Sequence, residues 1–234
     1  MSFVLDKVPD VSQWDTSNVK DMSSVFNNYA AVSTSINVVP DVSKWVTTNA
    51  ENISEMFSSY GQGSQNLNCV PAVDKWDTSN VTDMSAMFAD YGRSSSVLEK
   101  VPKVDGFKTS KVESFSLLDS SGNYTGLFEA YGANSNVLNF TLDLSKWDLS
   151  SLKTYQNTFK KAGSLTENWN VTIPTTTSLT GGGTIDNYKQ CWNLPDGASY
   201  IIPAEGKKFT CEGGLAFKAV YDTTAGVNTL TFYF

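Results

Sequence analysis

The chain contains no histidine and only three cysteines. Histidine is the side chain used most often as a general acid or base near neutral pH, and it is the commonest metal ligand. Its absence excludes Ser-His-Asp and Cys-His nucleophile systems. Cys69, Cys191 and Cys211 have no C-x-x-C spacing, so a zinc site would need another type of ligand. Cys69 is predicted to be a buried thiol, and Cys191 and Cys211 could form a disulfide in an oxidising compartment.

Long apolar runs and basic clusters are also missing. No stretch approaches the about 20 apolar residues that span a bilayer. The net charge is −7, whereas nucleic acids and anionic membranes need a basic face. The residues from Met1 onward show no basic region followed by a long apolar region, so no signal peptide is visible. We therefore expect no nucleic-acid partner and no membrane insertion.

A repeated unit dominates what is present. Trp14, Trp45 and Trp76 are spaced by 31 residues, Phe107 takes the next place, and Trp147 follows a longer gap. Five copies of the unit begin at an apolar residue, namely at Leu5, Ile36, Leu67, Leu98 and Leu138. A single unit of this length cannot bury its apolar side alone, but stacked units can. The pattern predicts five stacked turns, with these five residues in one interior column and the aromatic residues in another.

Each copy is predicted to contain a short strand and a short helix or helical turn. The strand precedes the aromatic residue and is disturbed by a proline in the first four copies. The helix follows a polar turn, because Val19, Met22 and Phe26 share one helical face. Asn18 with Asp21 resembles a capping pair. Four glycines stand where helix C-caps are expected: Gly61, Gly92, Gly132 and Gly163.

The repeat is interrupted once and then decays. Polar residues around 118–125 enlarge the fourth copy and are predicted to form a surface loop. Residues 168–174 look like the start of a truncated sixth turn, and Gly181–Gly183 mark a linker. We therefore predict a solenoid over residues 1–165, a decayed repeat and linker over 166–187, and a small mainly-β element over 188–234.

The segment Trp76–Phe88 reads Trp-Asp-Thr-Ser-Asn-Val-Thr-Asp-Met-Ser-Ala-Met-Phe. It resembles the BspA-like repeat of bacterial surface proteins, which also occurs in mycoplasma-type surface lipoproteins. The resemblance covers roughly residues 5–165 and implies a leucine-rich-repeat-like solenoid, surface exposure and adhesion, with no catalytic residues. The spacing of 31 is longer than is usual in that family, and the chain has no lipid-attachment cysteine near its start. Related repeats also occur in phage proteins that reach bacterial surfaces.

Repeated acidic residues raise two other hypotheses. Asp10, Asp41 and Asp143, together with Asp15, Asp77 and Asp148, could hold calcium between turns. Their spacing matches no EF-hand loop, and turn formation explains them better. A carbohydrate-active enzyme on a solenoid scaffold is the alternative function, and it would need a cluster of unrepeated carboxylates. The unrepeated ones, Glu99, Glu113 and Glu129, are scattered through the fourth copy. We expect no enzyme, no cofactor and no metal.

The sequence thus predicts a non-catalytic binding, adhesion or structural protein, exposed on a bacterial cell surface or a phage virion. The partner would be a protein or a surface glycan. The predicted binding face comprises the outward positions of the strands: Asn37, Val39, Asp41, Asn68, Val70, Glu99 and Asn139. Leu230, Phe232 and Phe234 share one face of the last strand and are predicted to cap the solenoid or to mediate a homo-oligomer or larger assembly.

Overall fold

The computed structural model describes residues 5–166, 168–172, 199–201, 218–222 and 229–233. These residues contain seven short strands and no helix. The strands are β1 (Ser116–Leu118), β2 (Tyr124–Gly126), β3 (Phe140–Asp143), β4 (Trp169–Thr172), β5 (Ser199–Ile201), β6 (Lys218–Asp222) and β7 (Thr229–Tyr233). Nothing in the described part of the chain forms a helix of the length and apolarity that crossing a membrane requires.

The five copies lie side by side in register. Parallel bridges join equivalent residues of successive copies, in the order Asp21, Asn52, Asp83, Ser114 and Thr154. The first three bridges span 31 residues, and the fourth spans 40 because the fourth copy is enlarged. The spacing that defines the repeat therefore also sets which residues meet between copies.

The segment that follows each aromatic residue, residues 19–33 in the first copy, is called the turn segment. It does not form the predicted short helix. The amides of Met22, Ser24 and Phe26 donate to carbonyl oxygens of the second copy at 2.8–2.9 Å, whereas a helix would direct them to its own carbonyls. Other amides close tight turns within the segment, as from Asn27 to the carbonyl of Ser24 at 3.0 Å. Some backbone amides of the segment thus close local turns, and others bond to the next copy.

Left-handed residues are the reason that no helix forms. In the first copy Ser24, Asn28 and Ala30 have φ between 55° and 57°. Equivalent residues of the later copies repeat this pattern, for example Glu55, Ser59 and Gly61 at 53–55°. Residues with positive φ interrupt a right-handed helix and turn successive peptide groups toward the neighbouring copies.

The predicted caps are correspondingly wrong, since there is no helix for them to end. The Asp21 carboxylate accepts from the amide of Ser23 at 2.9 Å, not from a residue three positions earlier. Gly61, Gly92, Gly132 and Gly163 do adopt the left-handed conformation, at φ 51–54°. They serve as turn residues, and Gly61 donates its amide to the carbonyl of Tyr29 in the preceding copy at 2.9 Å.

The segment that ends at each aromatic residue, residues 36–45 in the second copy, is called the leading segment. It forms a strand only in the fifth copy, as β3. The first four copies carry Pro9, Pro40, Pro71 and Pro102 in this segment, and the fifth carries Thr141-Leu142 instead. Proline has no amide hydrogen for a ladder, which explains why the strand appears where proline is absent.

The interior is built from columns of equivalent side chains. Ile36, Leu67, Leu98 and Leu138 are fully buried, as predicted, while Leu5 of the first copy is half-buried. Trp45, Trp76, Phe107 and Trp147 are also buried. Trp14 is the exception, because 53% of its surface is exposed and no described copy precedes it. Its predicted burial is wrong.

Side-chain hydrogen bonds add further columns. The indole Nε1 of Trp45, Trp76 and Trp147 donates to a valine carbonyl of the preceding copy at 3.1–3.2 Å. The buried hydroxyls of four threonines donate to carbonyls of the following copy; they belong to Thr16, Thr47, Thr78 and Thr109. Because each of these groups is buried and paired, the columns fix the register between copies.

Replacing Thr78 by valine tests this column. The Thr78 hydroxyl donates to the carbonyl of Lys108 at 3.0 Å and accepts from its amide at 2.7 Å. Valine keeps the shape but leaves both backbone groups unpaired, so we expect a loss of about 1–3 kcal/mol in the free energy of unfolding. Thr82→Val is the control, since the exposed Thr82 hydroxyl makes one bond, to Glu51, that water can replace. Equal losses in urea titrations of the two variants would contradict the assignment.

The enlarged fourth copy carries a hairpin. β1 and β2 pair antiparallel, with Leu118 opposite Tyr124. Their connection is held by the Asp119 carboxylate, which accepts from the amides of Ser121 and Asn123 at 2.8 Å. The predicted insertion is therefore an exposed loop, as expected, but one flanked by two paired strands.

Beyond the fifth copy, β4 pairs in parallel with β3, so that Phe140 is opposite Trp169. Residues 169–172 thus pair with the fifth copy. Most of the decayed repeat and linker predicted over 166–187 lies outside the described residues. β5, β7 and β6 form an antiparallel sheet with β7 in the centre. Leu230 and Phe232 belong to β7. Phe234, the linker around Gly181, Cys191 and Cys211 lie outside the described residues.

Candidate functional site

The predicted binding face is formed by the exposed positions of the leading segments, and we call it the front face. Five of its seven predicted members are exposed: Asn37, Asp41, Asn68, Glu99 and Asn139. Val39 and Val70 are only half-exposed, because their side chains pack against the core. Their prediction as outward residues is wrong, since the proline that follows each of them disrupts the alternation on which it was based.

Two asparagines of the front face hold neighbouring copies together. The side-chain oxygen of Asn37 accepts from the amide of Asn68 at 2.7 Å, and that of Asn68 accepts from the amide of Glu99 at 2.9 Å. In the fifth copy the amide of Asn139 instead donates to the backbone carbonyl of Glu99 at 2.9 Å. Asn37 and Asn68 therefore replace backbone ladder bonds that the proline-containing segments do not form.

A groove opens on the front face between the fourth and fifth copies. It has a volume of about 550 Å³. Its walls are Glu99, Lys100, Val101, Pro102, Lys103 and Asp105 on one side and Val137, Asn139, Thr141 and Leu142 on the other. The structure thus brings together Glu99 and Asn139 from the predicted set, and it places Asn37, Asp41 and Asn68 outside the groove.

The groove contains charged residues that the sequence did not single out. Lys100, Lys103 and Asp105 all contribute to its wall. The position of Lys103 is occupied by Asp41 and Ala72 in the two preceding copies. Interior positions vary little between copies. The variation at this exposed position was therefore the sequence signal that could have identified Lys103.

The repeated aspartates form turns. Asp41 accepts from the hydroxyl of Ser43 at 2.6 Å and from its amide at 3.0 Å, and these two hydrogen bonds lower the pKa of the Asp41 carboxyl. Serine two residues on lowers the carboxyl pKa in the same way at six other positions: Asp10, Asp15, Asp21, Asp77, Asp143 and Asp148. No cluster of three or more His, Cys, Asp or Glu side chains suited to a metal occurs within the described ranges.

These lowered pKa values predict the acid response of the protein. A carboxyl whose pKa is lower in the folded state stabilises the fold above its unfolded pKa of about 4 and loses that contribution as the pH falls through the folded value. We expect urea midpoints that are level between about pH 5 and 8 and that drop below about pH 4. In Asp41→Asn the amide oxygen can still accept from Ser43 without titrating. The difference between wild type and this variant should therefore shrink at pH 3, and a constant difference would contradict the explanation.

The unrepeated carboxylates proposed for a catalytic alternative are engaged elsewhere. Glu113 contacts the Lys153 ammonium at 2.7 Å, and Glu129 contacts that of Lys160 at 3.3 Å. Both pairs link the fourth copy to the fifth. Glu99 alone of the three contributes to the groove.

Cys69 is the free cysteine of the described part of the chain, and it is half-buried rather than fully buried. Burial raises the pKa of its thiol to about 11. The side chain is therefore a neutral thiol at neutral pH, a poor nucleophile packed against the core.

Tyrosine and serine columns were missed in the sequence. The hydroxyls of Tyr60, Tyr91 and Tyr131 donate to leading-segment carbonyls at 2.7–2.8 Å. Burial raises the pKa of all three tyrosine hydroxyls. Ser64, Ser95 and Ser135 donate similarly at 2.7–2.8 Å. Both columns recur with the repeat, and this recurrence could have revealed them in the sequence. Their hydrogen bonds join each turn segment to a leading segment.

The registered copies, the shared columns of buried side chains and the inter-copy hydrogen bonds define a protein built from an internal repeat. The chain belongs to a family described as "Mycoplasma protein of unknown function, DUF285", which matches residues 5–92 and 38–180. The mycoplasma-type repeat inferred from Trp76–Phe88 is therefore correct. No curated protein and no solved structure matches the chain.

Proposed function

We propose that the chain is a surface-exposed, non-catalytic protein of a leucine-rich-repeat-like solenoid type that binds a protein or glycan partner through its front face. The proposed locations are a bacterial cell surface or a phage virion. Membership in a mycoplasma family is compatible with a surface protein. The C-terminal sheet, with β7 at its centre, would cap the array or join it to a larger assembly.

The groove at Glu99 and Asn139 is the observation that carries this proposal. Elsewhere the repeated polar side chains are engaged: the threonine and tryptophan columns bond between copies, and the repeated aspartates form turns. At the groove, by contrast, two leading segments of different sequence meet. The fourth keeps Pro102 and adds Lys100 and Lys103, whereas the fifth forms β3. A concave site where the regularity of an array is broken is where selective recognition is expected.

The groove also suggests how a partner is held. Lys100 and Lys103 offer positive charge, Glu99 and Asp105 offer negative charge, and Asn139 and Thr141 offer neutral hydrogen-bonding groups. Val101, Val137 and Leu142 supply apolar contact area between them. This mixture favours a polar chain, peptide or glycan, over a purely apolar ligand.

Binding variants test the proposal. The labelled full chain would be applied to a glycan array and to immobilised proteins extracted from bacterial cell surfaces. We expect saturable binding to one of the two, weakened more than about 10-fold in the double variant Glu99→Arg/Asn139→Arg, since a loss of about 1.4 kcal/mol suffices. These positions are preferable to Asn37 and Asn68, whose side chains also stabilise the array.

Ser120→Arg is the matched control, because Ser120 is exposed at the tip of the β1–β2 hairpin, away from the groove-lining residues. Both variants should melt at the temperature of the wild type. A loss of binding in Ser120→Arg with none in the double variant would move the site to the hairpin. Hydrolysis of an arrayed glycan would favour the enzyme alternative. Fractionation of cells and purified virions would test the proposed location.

A further inference from the structure

One side of the first copy corresponds to the side that, in later copies, contacts the preceding copy. No described copy lies against it. In the second copy the corresponding side is covered. There the indole Nε1 of Trp45 donates to the carbonyl of Val11 at 3.1 Å. The amides of Gly61 and Gly63 each donate at 2.9 Å to carbonyls of the first copy, those of Tyr29 and Ala31.

The carbonyls on this covered side are engaged as well. Those of Asn52, Ser54 and Met56 accept from amides of the first copy at 2.8–2.9 Å. The third copy repeats the arrangement, since the carbonyls of Asp83 and Ser85 accept from the second copy at 2.8–3.0 Å. The side of a copy that faces its predecessor therefore presents a fixed set of donors, acceptors and one indole.

In the first copy the same set is open. Trp14 and Val32 are 53% and 72% exposed, and Val25 is 41% exposed. Within residues 5–166, the amides of Ala30 and Val32 donate to no backbone carbonyl, and the carbonyls of Ser23 and Val25 accept from no backbone amide. We call this surface the end face. Its groups are the counterparts of Trp45, Ser54, Met56, Gly61 and Gly63.

We propose that the end face is a docking surface for one further turn of this same repeat, presented by a partner polypeptide. The outer ring face of Trp14 continues a stack in which it lies 6.0 Å from Trp45 with the planes 10° apart. An incoming turn that offers amides to Ser23 and Val25 and carbonyls to Ala30, Val32 and the Trp14 indole reproduces the corresponding contacts between the first and second copies.

Other occupants fit less well. Two end faces related by a two-fold axis would place identical sides of the repeat against each other, whereas the contacts between copies join one side of a copy to the opposite side of the next in parallel register. Such a dimer would therefore not reproduce the pairing found inside the array. An ordinary apolar ligand would cover Trp14 and Val32 but would leave the open amides and carbonyls unpaired, which is costly. The arrangement of open amides and carbonyls on the end face therefore favours a further turn of the repeat as its occupant. This inference does not depend on the front face or its groove.

An extended chain tests the proposal. Residues 36–66, which form the second copy, would be placed ahead of Leu5 in the otherwise full chain in place of residues 1–4. The control carries the same 31 added residues in scrambled order. If the added turn docks, hydrogen exchange of the Ala30 and Val32 amides should slow on the order of 100-fold relative to the control. Equal exchange in the two chains would overturn the proposal.

A second measurement does not depend on amide exchange. Trp14→Ala should lower the urea midpoint clearly more in the extended chain than in the original chain, because docking buries the ring. An equal shift in both chains would count against docking. The original chain also decides between occupants. A dimer in sedimentation experiments that Trp14→Ala abolishes would assign the end face to a second copy. Faster exchange of Ala30 and Val32 on deleting residues 1–4 would assign it to the chain's own start. Either result would overturn the choice of partner.

Discussion

Replacing Trp76 by alanine is expected to lower the free energy of unfolding by about 3–5 kcal/mol, the range for removing a large aromatic side chain from a core. Trp76 is 5% exposed. It stacks on Trp45 with ring centres 6.2 Å apart and planes within 4°, and its indole donates to the carbonyl of Val42 at 3.2 Å. The substitution removes packing and a buried hydrogen bond from an interface between copies. Urea unfolding followed by circular dichroism would measure the loss.

Trp14→Ala is a control that the repeat itself provides. Trp14 occupies the equivalent position and stacks on the same neighbour, Trp45, but 53% of its surface is exposed. We expect a loss of no more than about 1 kcal/mol, as for surface or peripheral substitutions. Similar losses for Trp14 and Trp76 would show that burial between copies is not what makes this column important.

Replacing Gly126 by alanine is expected to be equally damaging, for a different reason. Gly126 ends β2 and lies against the backbone of the fifth copy. A β-carbon there would be 2.1 Å from the carbonyl oxygen of Asn157 and 2.4 Å from the amide nitrogen of Thr158. Because both obstacles are backbone atoms, the hairpin or the fifth copy must move. We expect a loss of about 3–5 kcal/mol, at or beyond the upper end for overpacking.

Gly106→Ala is the matched control for Gly126→Ala. The nearest atom to a β-carbon at Gly106 is the carbonyl oxygen of Asp74 at 3.9 Å, an ordinary contact. Neither glycine has a φ in the left-handed region, so neither substitution introduces left-handed backbone strain. The control should change stability by less than about 1 kcal/mol. A mild effect at Gly126 would mean that the hairpin is not packed against the fifth copy.

The interior of the array could be predicted because it follows the period of the sequence. The columns of Leu67 and Trp76 were evident from spacing alone, and the structure buries both residues. The backbone of the turn segments could not be predicted in this way. Met22, Phe26 and Ala30 are buried at intervals of four residues, which is also the interval of a helix face. Only the left-handed residues distinguish this backbone from a helix. Ser24 and Glu55 are left-handed, but neither is a glycine that would have indicated a positive φ from the sequence.

The groove was only partly predictable. Glu99 and Asn139 were identified as outward residues, but their proximity depends on how the fourth and fifth copies meet. That meeting depends on the proline of one copy and the strand of the next. The spacing predicted Asn37 and Asn68 as binding residues on the same grounds as Glu99 and Asn139. In the structure, the side chains of Asn37 and Asn68 join neighbouring copies. Only the hydrogen bonds separate the structural asparagines from the positions proposed for binding.

The way in which the copies are fastened has a mechanical consequence. Hydrogen bonds within a turn segment and from tyrosine or serine to a leading segment close each copy on itself, whereas the ladder from Met22, Ser24 and Phe26 ties it to the next. If the proposed surface location and partner are correct, a chain pulled through that partner would yield one copy at a time. Each of the first three copies would release 31 residues of slack, and the fourth would release 40, from Leu98 to the residue before Leu138. Such an array would lengthen under load in steps, so that the force on a partner held at the proposed groove would rise gradually.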